Sequence, residues 1–140
     1  MLIQLAESDS QILKCFSTLS QLRPQLQQET FLDQVRRQQQ GGYRLAFIDE
    51  EAQVIAVAGF RISERLACGR FMYVDDLIVD QTMRSQQYGQ HLFDWLIHYA
   101  TQHQCKALDL DSGVQRFEAH RFYLRQRMSI SSHHFRLNLL

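Results

Sequence analysis

The run Asp76-Leu77-Ile78-Val79-Asp80-Gln81-Thr82-Met83-Arg84-Ser85-Gln86-Gln87-Tyr88-Gly89-Gln90-His91-Leu92 joins an apolar strand to an amphipathic helix. A polar turn of this kind leaves backbone N–H groups exposed at a helix N-terminus. Such a terminus is a ready anion site, and pyrophosphate is its usual guest. Gly89 would let the backbone approach a phosphate closely. The plainer reading is a strand–helix turn with one convenient glycine.

Phe71 to Val79 reads as a long strand before the turn. The helix after it runs from about Tyr88, with Leu92, Trp95, Leu96 and Tyr99 on one face. Upstream, Tyr43 to Ile48 and Gln53 to Ile62 read as a hairpin about a polar turn at Asp49-Glu50-Glu51. Before the hairpin, Met1 to Leu5 suggests a short strand. A helix capped by Ser8 or Asp9 follows, with Ile12, Leu13, Phe16 and Leu19 at helical spacing. Pro24 interrupts it, and a second helix spans about Gln25 to Gln40, ending at Gly41-Gly42. Downstream come a strand at Lys106 to Leu110, a helix over about Gln115 to Gln126 and a strand near Ser132 to Leu139. The order β-α-α-β-β-β-α-β-α-β predicts one mixed α/β domain over residues 1–140. The strand–helix–strand unit that begins at Phe71 should be a right-handed parallel crossover.

Composition narrows the function. The chain has 140 residues, with 15 Lys+Arg against 15 Asp+Glu. Zero net charge disfavours a nucleic-acid partner, which calls for a cationic excess. No apolar run reaches the length of a membrane span. The N-terminus lacks the basic start and apolar stretch of a leader. Cys15, Cys68 and Cys105 are odd in number and show no paired spacing, so a reduced, cytoplasmic protein with idle thiols is expected.

Two motifs carry a resemblance. Arg84-Ser85-Gln86-Gln87-Tyr88-Gly89 resembles motif A of the GNAT superfamily of N-acetyltransferases, R/Q-x-x-G-x-G/A. Arg84, Tyr88 and Gly89 match, and Gln87 stands where the first glycine belongs. Downstream, Arg116-Phe117-Glu118-Ala119-His120-Arg121-Phe122-Tyr123 is similar to motif B, N-x-x-A-x-x-x-Y followed by G-F. Ala119 and Tyr123 match, Arg116 takes the Asn position, and Arg127-Met128 take the G-F positions. The element order is also the GNAT order, so the resemblance spans essentially the whole chain.

The resemblance implies a mixed, mostly antiparallel sheet with a splayed central strand pair flanked by helices. It implies acetyl transfer from acetyl-CoA to a primary amine, on a small molecule first, with no metal. Ile78 and Val79 would pair with the pantetheine arm as an added strand would. Arg84, Ser85, Gln86, Gln87, Tyr88, Gly89 and Gln90 would hold the pyrophosphate, with Arg116 a further phosphate contact. An alkyl amine is mostly protonated at pH 7 and attacks only when neutral, so a carboxylate must take its proton. Asp75 in Tyr73-Val74-Asp75-Asp76 resembles the acidic residue of the diamine- and polyamine-acetylating members, and Asp76 is its neighbour. Strand alternation sends the two to opposite faces unless a bulge intervenes. Tyr123 matches the family's tyrosine acid, and the Val79 N–H is the oxyanion donor the family suggests. Two acids on the cleft strand would suit a cationic acceptor.

Other constellations weigh less. His133-His134 are adjacent in an expected strand, and His91 and His98 lack a cysteine pair, so no metal is expected. His120 reads as a surface or packing residue, and Arg116, Arg121, Arg125 and Arg127 as a solvated basic face. The apolar stretch His133 to Leu140 could pair across subunits, which would make a homodimer. The competing function is a non-catalytic acyl-CoA-binding or interaction module on the same fold. A peptide or protein amine is the alternative acceptor.

Overall fold

The computed structural model describes residues 2–84 and 86–140; Met1 and Ser85, the latter a predicted phosphate contact, lie outside the described residues. The chain divides into two compact units, Met1–Asp109 and Leu110–Leu140.

The first unit is built on a sheet of order β1-β2-β3-β4-β5. Its strands are β1 (Ile3–Leu5), β2 (Arg44–Glu50), β3 (Gln53–Arg65), β4 (Gly69–Val79) and β5 (Ala107–Leu110). The first four pair antiparallel with their neighbours. Helices α1 (Asp9–Lys14), α2 (Phe16–Leu22) and α3 (Gln28–Gln40) fill the β1–β2 connection. Helix α4 (Tyr88–Gln102) connects β4 to β5. The result is the expected mixed α/β sheet flanked by helices.

Alternation sorts the core onto two faces. Val57 and Ile78 join Ile12, Leu19, Phe31, Val35, Leu45 and Phe47 in one buried cluster. Phe60, three residues beyond Val57, points the other way. Its ring meets Trp95 and Tyr99 of α4, with centroids 6.0 and 5.1 Å away. Leu92 and Leu96 are fully buried on α4. Burial of each such side chain stabilises the fold by about 1.5–3 kcal/mol.

Several boundaries differ from the expected ones, each for a local reason. Ser8, not Asp9, caps α1 through a capping box: its Oγ accepts from the Gln11 N–H, and Gln11 Oε1 accepts from the Ser8 N–H. The first helix divides at Cys15, whose N–H turns back to the Ile12 carbonyl. Asp49 and Glu50 lie in β2 rather than in the turn. The turn is Glu51-Ala52, both at positive φ (51° and 66°), which matches the right-handed twist of a two-residue hairpin. Strand β3 runs three residues further than expected, through the polar Ser63, Glu64 and Arg65, and pairs along this length with β4. There the Arg65 guanidinium lies 3.9 Å from the centre of the Phe71 ring and pairs with Asp109 at 3.0 Å.

The second unit contains α5 (Phe117–Arg125) and a C-terminal segment. Residues 128–140 form no strand, against expectation. The alternation of Phe135, Leu137 and Leu139 is present, but all three are exposed. A strand exists only through a paired neighbour, and this unit offers no second strand among the described residues. In the described residues no helix is long and apolar enough to cross a membrane.

Candidate active site

A bulge organises the acidic pair. In the β3–β4 register Gly59 opposes Asp76 and Phe60 opposes Val74, so Asp75 is the extra residue on β4. The bulge cancels the alternation that would have separated the two carboxylates. Arg61 Nε donates to Asp75 Oδ2 at 3.0 Å. Arg23 Nε donates to Asp76 Oδ1 at 3.0 Å, and its Nη2 donates to the Asp75 carbonyl at 2.8 Å. Tyr43 Oη donates to Asp76 Oδ2 at 2.6 Å. Arg61 also lies over the Tyr43 ring, 5.5 Å from its centre. Both aspartates therefore join one cluster, and an arginine balances each.

Their environments differ. Burial pushes the Asp75 carboxyl above the usual aspartate range, against the opposing pull of Arg61. Burial, with Asp76 alongside, pushes the Tyr43 phenol well up, so it stays a proton donor to Asp76. Asp76 has both oxygens engaged by Arg23 and Tyr43. Asp75 keeps one oxygen of its carboxylate, Oδ1, with no hydrogen-bond partner among the described residues.

Arg23, Tyr43, Gly59 and Arg61 carry no motif and were not anticipated. Gly59 had a signal: a glycine inside a strand often marks close approach of other groups. A Cβ there would sit 1.9 Å from Tyr43 Oη and 2.6 Å from Asp76 Oδ2. Only a glycine lets the phenol cross β3 to the carboxylate.

The far end of β4 is shaped to receive an extended chain. Asp80 N–H donates to the Ile55 carbonyl on β3 at 2.6 Å. Successive backbone groups alternate in direction along a strand, so the Val79 N–H and C=O point away from β3. Arg84 Nε reaches that carbonyl at 3.4 Å. On this side, β5 begins next to Arg70, where the Lys106 N–H donates at 2.8 Å, and has four residues against eleven in β4. Four residues from Arg70 fall short of Ile78 and Val79.

Gln87 adopts φ 70°, ψ 10°, the left-handed conformation that favours glycine, and no side-chain hydrogen bond caps helix α4 there. The glutamine thus preserves the backbone path of the missing glycine, and its side chain is exposed along with Gln86 and Arg84. This open helix start and the outward edge at Val79 fit a pyrophosphate and an extended arm. Tyr88 differs from expectation: its ring is buried and its hydroxyl donates to Glu50 Oε2 at 3.2 Å. Only its backbone can face a cofactor. Gln90 Nε2 donates along the helix to Asp94 Oδ1 at 2.9 Å. The turn is anchored by Asp80, whose carboxylate accepts from the Thr82 hydroxyl, the Thr82 N–H and Gln21 Nε2. The Thr82 hydrogen bonds, first among these, hold the Asp80 carboxyl below its usual range.

The conformation of Gln87 yields a prediction. Gln87→Gly should stabilise the protein by about 0.5–1 kcal/mol, since a side chain in this region is strained while glycine loses more freedom on folding. Acetyl-CoA should bind at least as tightly. A urea midpoint unchanged or lowered would refute the strain argument.

In the second unit, burial raises the Tyr123 phenol and the Arg116 guanidinium beside it pulls the other way. His120 Nε2 lies 2.7 Å from the Gly113 carbonyl, tying the turn before α5 to the helix. Elsewhere, burial pushes the Cys15 thiol up to about 12, which makes it inert, and also raises that of Cys105. Among the described residues, no three of His, Cys, Asp and Glu gather as a metal site would require.

Comparison with known proteins gives the family. The pattern of the Acetyltransferase (GNAT) family matches residues 9–127. An uncharacterized N-acetyltransferase of Bacillus subtilis is 30% identical over 123 residues, covering 86% of this chain and 87% of the relative. An aminoalkylphosphonate N-acetyltransferase of Salmonella typhimurium is 30% identical over 95 residues, 67% of this chain. The match spans 59% of that relative's length. The fold is also that of a ribosomal-protein-alanine N-acetyltransferase from Brucella melitensis, with TM-score 0.84, 13% identity and coverage of 99% and 100% of the two chains. The chain belongs to the GNAT family and is an acetyltransferase.

Proposed function

We propose that this enzyme moves the acetyl group of acetyl-CoA to the primary amine of a small molecule, with residues 1–140 acting as one catalytic domain. The observation that carries this reading is the bulge at Asp75, which brings a carboxylate of raised proton affinity onto the strand that ends in the outward Val79 amide. A relative named for aminoalkylphosphonates supports a small acceptor. A cytoplasmic location fits the three free cysteines.

The roles follow from the chemistry of each group. Bound acetyl-CoA supplies an activated thioester. Asp75 takes the proton that keeps an alkyl ammonium from attacking. Tyr43 and Arg23 occupy both oxygens of Asp76, which therefore positions the bulge rather than exchanging protons. The Val79 N–H is the donor for a developing oxyanion. Tyr123, kept protonated by burial, is the acid for the departing thiolate, with Arg116 able to steady its phenolate.

The test is release of free thiol from acetyl-CoA with a panel of primary amines. Tyr123→Phe should lower kcat about a hundredfold, within the usual range for a lost general acid. Acetyl-CoA should raise the melting temperature of both proteins. If it does so and no amine releases thiol, the protein is a non-catalytic binding module instead.

A further inference from the structure

The arginines change what the acidic pair can recognise. An isolated pair of aspartates would attract a cation, the acceptor expected from the strand alone. Here Arg61 and Arg23 each neutralise one of them. A second ammonium brought to this cluster meets two guanidinium groups and gains little.

Arg61 is also only half used. Its Nε is held by Asp75, and its two Nη atoms have no hydrogen-bond partner among the described residues. The side chain is 31% exposed, so the cluster is open to solvent at Arg61. Asp75 holds one side of the guanidinium, which also lies over the Tyr43 ring. A guanidinium edge matches the paired oxygens of a carboxylate or phosphonate. Arg23 Nη1 also has no hydrogen-bond partner among the described residues.

We propose that the acceptor is zwitterionic: a small primary amine that carries an oxyanion group a few bonds from its nitrogen, with the amine at Asp75 and the oxyanion on the free edge of Arg61. This rests on the acetyltransferase reading and on Asp75 as its base. The site then pairs each charge of the ligand with its opposite, and the cluster stays neutral when occupied. Both groups belong to one ion pair, with Arg61 Nε 3.0 Å from Asp75 Oδ2, which favours α- and β-amino acids or their phosphonate counterparts over long-chain acids.

The experiment compares acceptors of matched length by thiol release: β-alanine and 2-aminoethylphosphonate against propylamine, ethylamine and 1,3-diaminopropane. At least one oxyanion-bearing acceptor should exceed its plain counterpart in kcat/KM by about tenfold or more, the size of a charge-assisted hydrogen bond. Which of the two leads tells carboxylate from phosphonate. Arg61→Gln should lower turnover with every acceptor, because Arg61 also holds Asp75, but it should bring the ratio towards one. Arg61→Lys, which keeps the charge without the fork, should retain part of the preference. Preference for propylamine or the diamine overturns the proposal, as does a ratio that Arg61→Gln leaves unchanged. Failure of every acceptor to release thiol would refute the acetyltransferase reading and this proposal with it, a result distinct from preference for plain amines.

Discussion

Asp75→Asn is expected to lower kcat by about 10²–10⁴-fold, the usual contribution of a positioned general base. The substitution is close to isosteric, and the amide oxygen can still accept from Arg61 Nε, so the bulge and its neighbours should persist. The KM for acetyl-CoA should change little, because Asp75 lies before the strand end and the turn that would hold the cofactor. Asp76→Asn makes the useful comparison. It weakens the pairing with Arg23 and Tyr43 and should cost stability before it costs chemistry. Equal loss of kcat in the two variants at equal stability would refute the division of roles between them.

The same residue sets a pH dependence. Asp75 acts as a base only when ionised, so kcat/KM should rise with pH through its titration. Burial, the largest influence, raises its proton affinity, and Asp76 adds to this while Arg61 opposes it. The acid limb should therefore lie above the value near 3.9 of an unperturbed aspartate. For stability the sign is opposite. A carboxyl with a raised folded pKa is penalised when ionised, so its destabilising effect is present above the folded pKa. That effect disappears as the pH falls through the folded value towards the unfolded one. Activity and the Asp75 contribution to stability should move in opposite directions across this window. The Asn variant should lack the shifted limb.

The parts of this site that sequence could reveal are those whose geometry is local. The turn from β4 to α4 was legible because a strand, a polar turn and a helix start occur within one short run, and Arg84, Tyr88 and Gly89 matched a known spacing. Even there the side chain of Tyr88 turned inward to Glu50, a residue that reads as turn until the hairpin is found to tighten onto Glu51-Ala52. The bulge at Asp75 was not legible, because a bulge belongs to a register between two strands and not to either strand alone. Arg23, Tyr43 and Arg61 reach the aspartates from the end of α2, the start of β2 and the middle of β3, at separations no short motif encodes. The C-terminal alternation shows the reverse failure. Phe135, Leu137 and Leu139 have the period of a strand, but period alone supplies no partner.

Gly59→Ala should be the most damaging small substitution in the first unit. Its Cβ would lie 1.9 Å from Tyr43 Oη and 2.6 Å from both Tyr43 Cζ and Asp76 Oδ2. Tyr43 is only 3% exposed, so its ring cannot swing into solvent to make room. The phenol must shift within a packed core, and its 2.6 Å hydrogen bond to Asp76 is lost. Overpacking and an unpaired buried hydroxyl together should cost about 2–5 kcal/mol. That is a large share of the roughly 5–15 kcal/mol that holds a typical domain folded. The urea midpoint should fall with little change in slope. Turnover should fall in whatever protein remains folded, since the carboxylate cluster proposed to meet the acceptor would be displaced. Tyr43→Phe removes the atom that collides first, so adding it to Gly59→Ala should cost less than the sum of the two single substitutions. The expected coupling is about 0.5–3 kcal/mol, as for residues in direct contact. Strict additivity, or a Gly59→Ala protein as stable as the parent, would mean that the close approach of Tyr43 over Gly59 does not govern this site.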